Sequence, residues 1–296
     1  MPGRTRVTEG RVKVLGYDLF YRVFTPPSVR ATILCLHGGP GATHDYLLPI
    51  RDLSKRGYKV VFYDQLGCGK SEMPKNPALF TIERAVEELE AFRREMKLGR
   101  VHLMGSSYGG MLALAYALKY QRNLRSLITT GGLASMPLTI AEMERLKSEL
   151  PPAVMRVMEK YEARGEYENP EYEKAVMVFY KRHLLRRAKW PPEQEYTMSH
   201  VSKPVYGTMN GPNEFTIIGN IRYWDITDQL HKIKVPTLVT GGSHDEVTPK
   251  VAKSIHDHIK GSKRVEFRRS SHLVMWEERA KYMRTLDRFM RSVDAS

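Results

Sequence analysis

The chain has 296 residues, of which 42% are hydrophobic, and it carries two cysteines and a formal net charge of +14. That length and apolar content suffice for a substantial buried core, whereas no run approaches the roughly 18 apolar residues of a membrane span, and the polar residues 1–13 lack the apolar centre of a signal peptide. Cys35 and Cys68 form no C-x-x-C pair, which argues against a disulfide framework or a cysteine metal site and fits a reducing cytoplasm; the basic residues are dispersed without a nucleic-acid-binding motif, so the charge implies no nucleic-acid partner.

In chain order, β-rich runs at 12–14 and 19–23 flank Gly16-Tyr17-Asp18 and predict a hairpin. Apolar runs at 31–36, 58–63, 101–104 and 127–130 predict strands that end at His37-Gly38-Gly39-Pro40-Gly41, Asp64, Gly105 and Gly131-Gly132. Helical patterns lie between them, notably over 81–98 and 108–120, and this alternation predicts a mostly parallel sheet with helices on both faces. The character changes at 136. From there to about 224 the periodicity is helical, with 13 basic and 12 acidic residues, so nearly all of the net charge lies outside this segment. Within it, Lys181 to Arg187 reads as a helix with a solvated face. Strand patterns return at 237–240 and 264–267. Thr248-Pro249 predicts a helix start, as an N-cap and first-turn proline, and a last helix is expected over about 275–293. The expected organisation is a sheet core made of residues 1–135 and 225–296, interrupted by a helical cap, residues 136–224, over the C-terminal edge of the sheet.

Gly105-Ser106-Ser107-Tyr108-Gly109 matches G-x-S-x-G between a strand pattern and a helix pattern, the context a nucleophile elbow requires. So tight a turn leaves no room for side chains beside Ser107, and Gly105 and Gly109 supply none. The glycines at 38–41 follow an earlier strand. They serve either as a plain turn or to bring the Gly39 N–H, with that of Tyr108, towards a tetrahedral oxyanion. An acid partner is expected after the nucleophile at a strand end, and Asp245 meets both conditions; Asp225 and Asp228 precede the strand, and Asp257 lies in the helix pattern beyond it. Among the histidines that follow Asp245, His256 and His258 are two apart in a helix pattern and cannot share a face, whereas His272 falls in a loop after the last strand. The order Ser107, Asp245, His272 predicts a serine hydrolase of the α/β-hydrolase fold, needing no cofactor and no metal.

Taken together, HGGPG at 37–41, GSSYGG at 105–110, GGSHDEVTP at 241–249, SSHLVMWE at 270–277 and the stretch Tyr63 to Ser71 resemble the proline iminopeptidases over nearly the whole chain. Leu66 stands where many members carry arginine, and this resembles the branch of the archaeal tricorn-interacting aminopeptidase factor and related amino-acid amidases. The resemblance implies a cytoplasmic serine aminopeptidase with a helical cap. Its expected substrates are short peptides with a free N-terminus, losing proline and, given Leu66, other small or apolar residues; docking to a larger protease is left open. It also implies that Glu214 and Glu246 bind the substrate ammonium. Local carboxylates are what a cation-selecting site needs in so basic a chain. Read without the resemblance, Glu214 serves equally as a surface residue and Glu246 as a charge at a helix N-terminus. Tyr108, Tyr206, Phe215 and Trp224 are candidates for an apolar floor under a proline ring, or for packing within the cap. The competing function is a carboxylic esterase, amidase or lactonase on the same three residues, which has no need of a glutamate pair. A non-catalytic binding protein is disfavoured by the complete set Ser107, Asp245 and His272, and a haloalkane dehalogenase or epoxide hydrolase by a serine at the nucleophile position.

Overall fold

A computed structural model describes residues 4–295. In it β1 (Arg6–Val14), β2 (Tyr17–Thr25), β3 (Ala31–Leu36), β4 (Tyr58–Tyr63), β5 (Val101–Ser106), β6 (Leu124–Thr130), β7 (Thr237–Gly242) and β8 (Lys263–Phe267) form one sheet in the order β1-β2-β4-β3-β5-β6-β7-β8. The first two pairings are antiparallel and all others are parallel. The hairpin turns at Leu15-Gly16, where both residues have positive φ, and its strands are longer than their apolar patterns. In β3, Ile33 and Cys35 join one apolar cluster while Leu34 and Leu36 join the cluster on the opposite face. A strand covered on both faces reads as a continuous apolar run rather than an alternation, which is why residues 31–36 are conspicuous in the sequence.

One face is covered by α1 (Ile82–Glu95), α2 (Tyr108–Tyr120) and α8 (Pro249–His258), and the other by a 3-10 stretch (Asp45–Arg56), α9 (Val274–Glu277) and α10 (Arg279–Asp294). Thr81 caps α1 by accepting the Arg84 N–H. The single helix expected over 275–293 is divided at Glu278, which is non-helical at φ −119° and ψ 43° and whose carboxylate accepts from Arg269 N and Ser270 Oγ.

Between β6 and β7 run α3 (Met136–Ser148), α4 (Pro152–Glu162), α5 (Pro170–His183), α6 (Pro192–Ser199) and α7 (Lys203–Met209), and the first three pack around a cluster that includes Met143, Leu146, Met158, Tyr172 and Phe179. Ser135 and Asp225, at the two ends of this excursion, pair as an isolated bridge, with Ser135 Oγ donating to Asp225 Oδ2 at 2.6 Å. The bonds that moor it to the sheet body include Ser202 N to Gly41 O at 2.8 Å, Thr43 Oγ1 to Thr197 Oγ1 at 2.9 Å, and Thr248 Oγ1 to Glu142 Oε2 at 2.9 Å. As expected, Thr248 is the N-cap residue of α8 and Pro249 its first residue, although the Thr248 hydroxyl serves the carboxylate on α3 rather than the first turn of α8. One correction concerns residues 181–187. The helix stops at His183, and Leu184 and Leu185 turn inward to be buried against Leu273 and Val274.

The Phe92 ring of α1 is fully buried and stacks on Tyr63 of β4 with 4.3 Å between centroids. Phe92→Ala should therefore lower unfolding stability by about 3–5 kcal/mol in urea titration. A loss below about 1 kcal/mol would show that this stack does not anchor α1 to the sheet.

Candidate active site

Ser107 stands between β5 and α2 at φ 56° and ψ −126°, a conformation that L-residues rarely adopt. Its N–H donates to Thr130 O at 3.0 Å, and its carbonyl accepts from Gly110 N at 2.7 Å, so both sides of the strained residue are held by backbone. A Cβ at Gly105 would strike the Gly109 carbonyl, and one at Gly109 would strike the Leu36 carbonyl of β3. The two glycines are therefore required by the close approach of three backbone segments. Tyr108 opens α2, and its N–H, in the first turn, has no intrahelical acceptor.

The loop after β3 is pinned beside this turn. Gln65 N donates to His37 Nε2 at 3.0 Å, which leaves the proton on His37 Nδ1 to reach Gly38 O, also at 3.0 Å. The Gly38 N–H is engaged by the Tyr46 hydroxyl at 2.7 Å, and Gly39, whose amide comes next, lies on the cavity wall.

His272 lies in the loop between β8 and α9, and Asp245 in the loop after β7; both are almost fully buried. The Nδ1–H of His272 donates to Asp245 Oδ1 at 2.6 Å, and Val247 N donates to the same oxygen at 2.8 Å. The ring's Nε2 stands 3.8 Å from Glu246 Oε1. Burial alone would depress the imidazole, but Asp245, Glu246 and Glu214 together carry it up to about 9. Burial pushes the Glu246 carboxyl up to about 8, opposed by His272 and aided by Glu214 and Asp245. Burial likewise raises Glu214, against hydrogen bonds from Tyr206 and Tyr180. Burial thus makes both glutamates resist ionising while no cation is near, and a cation arriving among them favours their charged forms.

A cavity of about 1020 Å³ brings most of the sequence-expected residues together. Ser107, His272, Gly39, Glu214, Glu246 and Tyr206 all line it, and Asp245 reaches it through His272. Glu214 sits in a turn shaped by Asn213, whose side-chain oxygen accepts from Phe215 N and Thr216 N, and Tyr180 Oη approaches Glu214 Oε1 at 3.4 Å. Three of the expected aromatic residues are placed elsewhere. Tyr108 points to the far side of the loop, beside Cys68 and Glu88; Phe215 packs edge-on against Phe179; and Trp224 packs on the core under the excursion. Leu66 also lies outside the cavity lining, buried with its N–H on Glu88 Oε1 at 3.2 Å. The aromatic residues that do line the cavity include Tyr46, Tyr167 and Tyr180.

The α/β hydrolase fold family matches residues 31–279. The chain is 48% identical over 289 residues to a proline iminopeptidase of Saccharolobus solfataricus, spanning 97% of this chain and 93% of that protein. It is 50% identical over 289 residues to one of Thermoplasma volcanium, spanning 97% of each. The crystal structure of proline iminopeptidase from Mycobacterium smegmatis superposes with a TM-score of 0.91 at 31% identity, covering 97% of this chain and 99% of that one. This chain belongs to the proline iminopeptidase family. Among its described residues no helix is long and apolar enough to cross a membrane.

Beyond this family's motifs, the cavity uses Tyr46 and Tyr180, which the sequence reading missed. Tyr46 falls in a 3-10 stretch with no strand or helix periodicity to mark it, and Tyr180 looks like one more aromatic residue of an amphipathic helix. In the sequence Gly131 marks only the end of a strand pattern. At φ +54° it leaves no room for a Cβ beside His272 and Asp245, so glycine there is a condition for the pair to meet.

The carboxylates raise His272, so removing one must lower it. In Glu246→Gln the imidazole should titrate below about 9, shifted towards the ordinary 6.5, when followed by NMR of the ring protons. An unchanged midpoint would show that Glu246 contributes nothing to the field at the ring.

Proposed function

We propose that the chain is a serine aminopeptidase that releases N-terminal proline, and other small or apolar N-terminal residues, from short peptides in the cytoplasm. The observation that carries this reading is the placement of Glu214 and Glu246 on the wall of the cavity that Ser107 and His272 also line. A neutral ester gives no reason to gather buried carboxylates there. The ammonium of a peptide N-terminus does, because it compensates charges whose burial is otherwise costly.

In this reading the ammonium lodges between Glu214 and Glu246 and sets the first residue's carbonyl carbon over Ser107. The arriving ammonium offsets the carboxylates that raise the imidazole, so His272 reacts in its neutral form: its Nε2 takes the hydroxyl proton as Ser107 Oγ attacks, and Asp245 holds the resulting imidazolium by its Nδ1–H. The negative oxygen accepts hydrogen bonds from the N–H groups of Gly39 and Tyr108. Collapse breaks the C–N bond, and His272 passes its proton to the departing peptide nitrogen. A water molecule, deprotonated by the same ring, then cleaves the acyl-Ser107 ester and frees the amino acid. Within the described residues, 4–135 and 225–295 form the body that carries this chemistry, and 136–224 act as the cap that supplies Glu214, Tyr206 and Tyr180; residues 1–3 and 296 of the expected body lie outside the described residues. Tyr206 and Tyr180, rather than Phe215 or Trp224, flank the ammonium end. Because a carboxylate must meet a charged terminus, only one residue is removed at each turnover.

Ser107→Ala should lower kcat at least about a thousandfold with the fold retained, as judged by circular dichroism. The sharper test compares an aminoacyl arylamide with a neutral acetyl ester. Glu214→Gln should cut kcat/KM for the amide roughly ten- to a hundredfold, the equivalent of a charge-assisted hydrogen bond, while the ester changes little. Acetylating the amide's N-terminus should abolish cleavage by the unaltered enzyme. An unchanged amide-to-ester ratio in Glu214→Gln would put the esterase reading in first place.

A further inference from the structure

The loop bearing His272 is tied to the helical excursion as well as to the sheet body. His183 O, at the end of α5, accepts from both His272 N at 3.0 Å and Glu246 N at 3.3 Å, and Leu184 O accepts from Leu273 N at 3.1 Å. His183 Nδ1 meets His244 O at 3.0 Å. Both loops that surround the imidazole are therefore hung from one helix end. That helix also carries Tyr180, one turn earlier, which faces Glu214.

Most of these ties are backbone to backbone, and a single side chain closes the arrangement. Glu277, the last residue of α9, accepts from Arg186 N through Oε1 at 2.6 Å. Its Oε2 accepts from Ser271 N at 2.5 Å and from Ser271 Oγ at 2.9 Å. One carboxylate thus spans the chain leaving α5 and the residue immediately before His272. Three donors on one carboxylate, two of them backbone N–H groups, make a rigid clasp, because each such bond is charge-assisted. Glu277 is not part of the cavity lining, so it has no direct route to the substrate.

We propose that Glu277 is a positioning residue that holds the His272 loop against the end of α5, so that the imidazole stays in register with Ser107 and with the carboxylates on the excursion. The inference rests on His272 being the general base. Its consequence is specific: loosening the clasp displaces the base without touching the ammonium site, so turnover falls and substrate binding does not. The amide and the neutral ester both need the base, so they must suffer alike, in contrast to the selective loss expected for Glu214→Gln.

The experiment measures kcat and KM for the arylamide and the acetyl ester in Glu277→Gln, Glu277→Ala and His272→Ala, beside thermal unfolding of each. Glu277→Gln keeps the length of the side chain but offers an N–H₂ to one of its donors; kcat should fall about tenfold for both substrates with KM within about twofold. Glu277→Ala should fall further in kcat. If Glu277→Ala does not fold, Glu277→Gln decides alone. Unchanged kcat in Glu277→Gln, with or without a lower unfolding temperature, overturns the inference, and so does a loss expressed in KM or confined to the amide. An active His272→Ala would instead overturn the reading of His272 as base, so the two failures are distinguishable.

Discussion

The backbone at Ser107, held at φ 56° between a buried strand and a buried helix, is the constraint on which the rest of the molecule depends. A non-glycine residue does not rest there unless its surroundings over-determine it. The surroundings here are β3, β5 and α2, brought so close that Gly105 and Gly109 have backbone where a side chain would be. The approach is possible because the sheet is parallel at this point and both of its faces are covered, so the strands are clamped from above and below. The same geometry sets the loop after β3 beside the start of α2, where a Cβ on Gly38 would meet Ser107, and this is where the proposed oxyanion would form.

A second theme is charge. The protein is strongly basic, yet the cavity gathers Glu214 and Glu246 around an imidazole already paired with Asp245. Such crowding is costly in isolation, and burial shifts both glutamates up as they resist ionising. The arrangement makes sense as half of an interaction whose other half arrives with the substrate. The glutamates come from opposite sides, one on the excursion between β6 and β7 and one on the loop after β7. The proposed recognition of an ammonium therefore depends on how the excursion sits on the sheet body. The clasp at Glu277 and the paired bonds to His183 O place that dependence next to His272 itself.

Much of the architecture was legible in the sequence because its cause is local. The apolar runs at β3 and β4 matched the strands residue for residue, since buried parallel strands have no polar face to interrupt them. The elbow was legible because close backbone approach demands glycine at set places. The order of Ser107, Asp245 and His272 was legible because each follows a strand of one parallel sheet, and the ends of parallel strands point the same way. Strand ends were less so: β5 and β7 run on through glycine and serine, which carry no apolar signal but still hold ladder hydrogen bonds.

Tertiary structure alone decided the remainder. Whether Phe215 or Tyr206 faces the cavity depends on the turn that Asn213 sets up and on Phe179 across from it, and composition carries no trace of either. The helix after Tyr180 stops at His183 because Leu184 and Leu185 find burial against the loop of His272, a contact nearly 90 residues away in the chain. Thr248 takes the N-cap position that the sequence marks, but its hydroxyl donates to Glu142 once α3 is laid beside α8. The sequence by itself determined the sheet, the elbow and the order of the reactive residues, because these follow from periodicity and from steric limits on short segments. Which side chains enclose the cavity, and how the excursion grips the loop of His272, was settled only when distant segments met, since a side chain's partner there is fixed by packing and not by its neighbours in the chain.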